Sequence, residues 1–174
     1  DPVGKGLPRD GLLPDPFEYP LAPVLMVSLL ARGHGLLVHA CGIEEGGRGY
    51  LSAGHSGAGK TTMARTWRGQ GELLNDDRLV VRVEDGRPVM YGTPWHSDLA
   101  EVSARRATID KLFFLERGER NGVRPATGSA AAAALAARCI LPMWSAEGMT
   151  RAFETAQAIT ARVPCFHLTT GSTE

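Results

Sequence analysis

The segment GHSGAGKTT, residues 54–62, carries the strongest chemical signal in the chain. It matches G-x-x-x-x-G-K-[ST] through Gly54, Gly59, Lys60 and Thr61. Glycines let a backbone curl until several N–H groups converge on one phosphate. A helix opening at the lysine adds the partial positive charge of its first turn. Lys60 would then neutralise the β- and γ-phosphates, and the Thr61 hydroxyl would reach Mg²⁺. His55, Ser56, Gly57, Ala58 and Thr62 complete the cradle, with His55 in a slot that the pattern leaves variable. The composition of the chain gives roughly 0.005 chance matches to this pattern, so a mere glycine turn with a solvated lysine is the weaker reading.

A second candidate is the acidic pair Asp76 and Asp77, closing the apolar run LLNDD. One carboxylate can hold Mg²⁺, directly or through water. The other can orient or deprotonate an attacking hydroxyl. The residue types alone fit either order of the two roles. Alone, the pair would read as a turn, because Asp favours turns; its place after a phosphate loop favours function. His39 lies on the expected strand before the loop, where an isolated histidine is more often a sheet residue with a hydrogen bond. Trp95 and His96 either line a substrate or fill a turn. Arg105 and Arg106 read first as a solvated basic pair and second as contacts to an anion.

These residues need a strand before the loop and a helix after it. Residues 36–43 and 50–53 read as strands joined by a turn at 44–49. Residues 60–67 read as a helix ended by Gly69 and Gly71. Residues 72–76 form a short strand ending in acid, and 78–85 with 87–92 form a hairpin across Asp85 and Gly86. A strong strand follows over 108–118, then a polar loop over 119–128. The alanine-rich run 129–141 reads as a helix because alanine loses no side-chain entropy there. A further helix covers 147–162 and a last strand 163–169. Upstream, 21–32 reads as a buried helix, and the proline- and glycine-rich residues 1–20 as an irregular arm. The fold class is therefore α/β: one domain over residues 21–174, a mixed twisted sheet with flanking helices and the phosphate loop at a strand's carboxyl end.

Composition narrows the partners. The chain has 174 residues, 43% apolar and 22% charged. Nineteen Lys and Arg balance nineteen Asp and Glu, which argues against nucleic acid and against a polybasic membrane binder. Leu21 to Ala40 is the most apolar stretch, but Pro23, Arg32 and His34 make it a poor membrane span. Cys41, Cys139 and Cys165 fit neither a disulfide framework nor a zinc pattern, so a cytoplasmic location is expected.

Taken together, residues 36–96 resemble the catalytic domain of bacterial HPr kinase/phosphorylase, in the broad fold group of ATP-dependent phosphoenolpyruvate carboxykinase. GHSGAGKT reproduces the family's G-x-S-G-x-G-K-[ST] loop, and Asp76 and Asp77 its acidic pair after the next strand. His39 stands at the family's distance ahead of Gly54, and Gly92 and Pro94 match a Gly-x-Pro after the following hairpin. The resemblance implies a kinase using ATP and Mg²⁺, with Lys60, Asp77 and His39 in the chemistry, Asp76 and Thr61 toward the metal, Asp77 as the base and a serine of a protein or peptide as acceptor. His39 would assist at the γ-phosphate side.

Two departures matter. Thr62 stands where HPr kinases usually carry Glu, giving the Lys-Thr-Thr of the carboxykinases. The family's E-x-R-G-x-G signature, used for the HPr partner and the hexamer, is replaced by EVSARRATIDKLFFLERG over 101–118. This counts against HPr as acceptor and leaves a homo-oligomer open. The chain looks more like HPr-kinase-related proteins found beside peptide-modification genes. The alternatives are a small-metabolite kinase of the shikimate or nucleoside type, and a nucleotide-binding regulatory module. ATP and GTP are not separated by any readable motif.

Overall fold

Alternation along residues 35–45 sets the architecture. Leu36, Val38 and Ala40 enter one apolar core, while Leu37, Cys41 and Ile43 turn to the opposite face. Successive strand residues point to opposite sides, so this segment is covered on both faces. The computed structural model describes residues 20–33, 35–97, 99 and 101–171. Among them it has nine strands and four helices: α1 (Leu21–Leu30), β1 (Gly35–Glu45), β2 (Arg48–Ala53), α2 (Lys60–Trp67), β3 (Glu72–Asn75), β4 (Arg78–Glu84), β5 (Arg87–Gly92), β6 (Arg106–Gly118), β7 (Gly122–Ala126), α3 (Gly128–Ala136), β8 (Cys139–Ile140), α4 (Ala146–Thr160) and β9 (Cys165–Gly171).

The strands run in the order β2-β1-β4-β5-β6-β9-β7, with β3 and β8 also paired to β1. Pairing is mixed. β1 is antiparallel to β2, β3, β4 and β8, whereas β2 and β9 are both parallel to β6. The β2–β6 pairing returns the path to its start, so β2, β1, β4, β5 and β6 form a closed circuit. The two longest strands make this possible. β1 pairs with β4 over Gly35–His39 and with β2 over Ala40–Glu45. β6 pairs with β5 near Arg106 and with β2 from Ile109 onward.

Helices α3 and α4 pack together over the main core, through Ala131 and Leu135 on one and Ala152, Ala156 and Ile159 on the other. Ser145 caps α4 by accepting the Gly148 N–H at 3.0 Å, satisfying a donor that the first turn leaves free. On the other face α1 covers Leu37 and Val80, and α2 covers Cys41 and Ile43. His39 belongs to that face by alternation and falls between the two helix-covered patches.

The expected mixed sheet, the flanking helices and the hairpins at 36–53 and 78–92 are present. Two expectations are corrected. The polar loop expected over 119–128 contains β7, an edge strand antiparallel to β9 with Pro125 opposite Phe166. Proline is tolerated there because an edge strand can forgo one ladder donor. The helix expected over 129–141 stops at Ala136, and Cys139–Ile140 instead form β8 against Leu37 and Val38. The arm expected over 1–20 lies outside the described residues except for Pro20. No helix among the described residues is long and apolar enough to cross a membrane.

Candidate active site

The loop between β2 and α2 takes its shape from glycine. Gly57 and Gly59 adopt φ of 77° and 102°, a region that side-chain-bearing residues rarely occupy. His55, Ser56 and Gly57 are exposed, and Ala58 and Gly59 half-buried. Lys60 opens α2 and is buried, with Nζ donating 3.0 Å bonds to the carbonyls of Gly54 and His55. The ammonium therefore bends back over the loop. Burial lowers its pKa, and the carboxylates of Asp77 and Asp76 partly offset this.

β1 is the hub that brings the remaining residues to the loop. At His39 one edge of β1 changes partner: its N–H donates to the Arg138 carbonyl at 2.8 Å, and its carbonyl accepts the Gly54 N–H at 3.0 Å. On the other edge β3 and β4 lie end to end, with Gly42 opposite Asn75 and His39 opposite Arg78. Asp76 and Asp77 form the break between them, tied to β1 by the Ala40 N–H donating to the Asp77 carbonyl at 3.1 Å.

Asn75 holds that break in shape. Its Oδ1 accepts the N–H groups of Asp77 and Arg78 at 2.7 and 2.9 Å. Its Nδ2 donates to the carbonyls of Thr93 and Trp95 at 2.9 and 2.8 Å. The two carboxylates consequently point to different partners. His39 Nε2 donates to Asp77 Oδ1 at 2.9 Å, and Arg78 Nε lies 3.3 Å from Oδ2. Burial of Asp77 opposes its ionisation, but the His39 hydrogen bond and the charges of Arg78, His39 and Lys60 outweigh it and hold the pKa below the usual carboxylate value. Asp77 keeps 18% of its side-chain exposure and His39 30%, so a substrate can reach both.

Asp76 is fully buried. It accepts the Ser97 N–H at 3.1 Å on Oδ1 and the Ser97 hydroxyl on Oδ2. The Thr61 hydroxyl lies 3.4 Å from the Ser97 hydroxyl, so one serine links the proposed metal residues. Among the described residues no three His, Cys, Asp or Glu side chains group to hold a metal. A hard-oxygen pair such as Asp76 and Thr61 nevertheless suits Mg²⁺, which usually takes one or two protein ligands and completes its shell with phosphates and water.

Other candidates are drawn elsewhere. Trp95 packs against the cluster beneath α1. His96 is exposed, its ring paired with the Ser97 carbonyl. Arg105 pairs with Glu72, and Arg106 with Glu84, as a solvated basic pair would. Cys41 is buried beside Asp76, and burial first, then that carboxylate, pushes its thiol up to about 12, so it packs rather than reacts. Sequence reasoning passed over Asn75, Arg78 and Ser97. Asn75 had a signal, an Asx residue ahead of a turn; Ser97 had none, because its partner is 21 residues away.

The fold and site define a mixed α/β protein with a glycine loop, a buried lysine and an acidic strand break at one end of β2. The family model "SynChlorMet cassette protein ScmC" matches residues 20–172, and the chain belongs to that family. Among solved structures it is similar to the Hpr(Ser) kinase/phosphatase from Coxiella burnetii, at 10% identity and a TM-score of 0.41, over 78% of this chain and 85% of that one. No curated protein matches.

Proposed function

We propose that the chain is an ATP-dependent phosphotransferase of the HPr kinase-like class, passing the γ-phosphate to a serine hydroxyl of a protein or peptide. One observation carries this reading: Asp77, held ionised and bonded to His39, sits at a strand break close enough to Lys60 for their charges to interact. Residues 54–62 cradle the triphosphate, with Lys60 exchanging its two loop carbonyls for phosphate oxygens. Asp77 orients the serine hydroxyl and takes its proton as the new O–P bond forms and the bond from Pγ to the bridging oxygen breaks, releasing ADP. His39 keeps the Asp77 carboxylate aimed and faces the transferring group. Mg²⁺, when bound, supplies positive charge that offsets the phosphates; Asp76 and Thr61 would hold it.

The β4–β5 hairpin supports this reading over a metabolite kinase of the shikimate or nucleoside type, in which a helix follows the acids. The test is Asp77→Asn. Nucleotide affinity stays within about threefold, while γ-phosphate transfer falls by about 100-fold or more, as expected on losing a general base. Equal transfer in variant and wild type removes Asp77 from the chemistry.

A further inference from the structure

Asp76 is sealed, with 0% of its surface exposed, whereas Ser97 and Thr61 are half-buried. Residues 93–97 reach the acidic break because three hydrogen bonds stitch them to it. Asn75 Nδ2 donates to the Thr93 and Trp95 carbonyls at 2.9 and 2.8 Å, and the Thr93 hydroxyl donates to the Arg78 carbonyl at 2.7 Å. Ser97, two residues after Trp95, then engages both oxygens of the Asp76 carboxylate. Its N–H donates to Oδ1 at 3.1 Å and its hydroxyl donates to Oδ2. A serine hydroxyl has one proton and two lone pairs. Ser97 gives that proton to Asp76, so its lone pairs are left for other partners, and the Thr61 hydroxyl lies 3.4 Å away.

A cation that arrives with a nucleotide at the loop meets these two half-buried hydroxyls before it meets the sealed carboxylate. We infer that Ser97 is a direct oxygen ligand of the Mg²⁺ that accompanies the nucleotide, beside Thr61, and that Asp76 acts on the cation through Ser97. Hydroxyl oxygens are hard donors of the kind Mg²⁺ accepts, with phosphates and water completing its shell. The carboxylate behind them has a defined task. By accepting the Ser97 proton it fixes the direction of the serine oxygen and makes that oxygen a stronger donor, as hydrogen-bonded partners behind metal ligands do. Asp76 also keeps its negative charge close to the cation without being exposed to solvent. The inference rests on the phosphate-loop reading above and adds the residue that touches the metal, one that follows the loop by 35 positions or more and belongs to no phosphate-binding pattern.

The experiment measures metal binding to the full chain in the presence of ADP, for wild type, Ser97→Ala and Ser97→Cys. Mn²⁺, a hard-oxygen probe for the Mg²⁺ position, is followed by the resonance signal of the free ion, and Cd²⁺, a soft probe, by titration calorimetry. Ser97→Ala should weaken Mn²⁺ by about tenfold or more, the usual loss for altering a metal's immediate surroundings. Ser97→Cys places sulfur where the oxygen stood. It should weaken Mn²⁺ by a similar factor yet bind Cd²⁺ about tenfold more tightly than wild type, because sulfur prefers soft ions. The cysteine variant is close to serine in size and keeps the test open if Ser97→Ala leaves Asp76 too poorly paired to fold. A serine that only shapes the site would not change the preference between ions. Unchanged Mn²⁺ affinity in Ser97→Ala, or no gain of Cd²⁺ over wild type in Ser97→Cys, therefore overturns the inference. A wild type that adds nothing to the Mn²⁺ affinity of free ADP overturns the reading of the loop and its metal residues, and this inference with it.

Discussion

His39 Nε2 and Asp77 Oδ1 lie 2.9 Å apart although 38 residues separate them in the chain. The contact exists because β1 places His39 opposite Arg78, the residue that restarts the neighbouring strand after its acidic break. A histidine on one strand and a carboxylate at the end of another thus become one unit beside Lys60.

That unit should be visible in stability as well as catalysis. Burial of Asp77 acts to raise its pKa, yet His39, Arg78 and Lys60 leave it lowered. A lowered folded pKa contributes stability that is fully present above the unfolded value of about 3.9 and is lost as pH falls through the lower folded value. Urea unfolding of wild type and Asp77→Asn should therefore differ most near neutrality and converge in strong acid. A stability difference that grows on acidification contradicts the assignment.

Asn75 should matter to folding more than its polarity suggests. It is fully buried and makes four hydrogen bonds to backbone groups around the break. Asn75→Ala should destabilise the protein by about 4 kcal/mol, since each of the four bonds contributes roughly 1 kcal/mol net. Denaturant midpoints give the value. A change within about 0.5 kcal/mol, the usual size of a surface effect, refutes the role.

Gly54 should be intolerant of even a methyl group. A Cβ there would stand 2.8 Å from the Ala58 Cβ and 3.1 Å from the Leu115 Cβ, so the loop must shift. Gly54→Ala should weaken Mg-ATP by about tenfold, in keeping with the usual cost of overpacking. Unaltered binding in titration calorimetry shows that the loop does not depend on this close approach.

Arg105 should be dispensable. It pairs with Glu72 on the surface, where such pairs contribute about 0–1 kcal/mol. Arg105→Ala should leave phosphate transfer within about twofold of wild type and unfolding nearly unchanged. A selective loss of transfer would make Arg105 a substrate contact after all.

Much of this site is legible in the sequence, for reasons that differ by residue. Residues 54–62 are legible because strand, glycine loop and helix are consecutive, and local chemistry suffices. Asp76 and Asp77 are legible as a strand end, but not as an interruption between two strands on one edge of β1. That requires the pairings of Gly42 with Asn75 and His39 with Arg78, which are long-range. β7 was hidden by Gly122 and Pro125, which read locally as loop and gain strand geometry only from β9. β8 was hidden by the alanine run before it, since helix propensity gives no hint that Cys139 will pair with Val38. Ser97 was invisible, because nothing near it announces a bond to Asp76.

The proposed function requires Lys60-dependent transfer of phosphate to a macromolecule. The direct measurement is γ-phosphate-labelled ATP with Mg²⁺, purified chain and an extract of the source cell, with Lys60→Ala as control. Label in a protein or peptide should appear with wild type and fall by about 100-fold or more in the variant, as expected if the proposed phosphate cation is removed. Label confined to a small metabolite, or equal macromolecular label with Lys60→Ala, would contradict the proposed transfer to a protein or peptide serine.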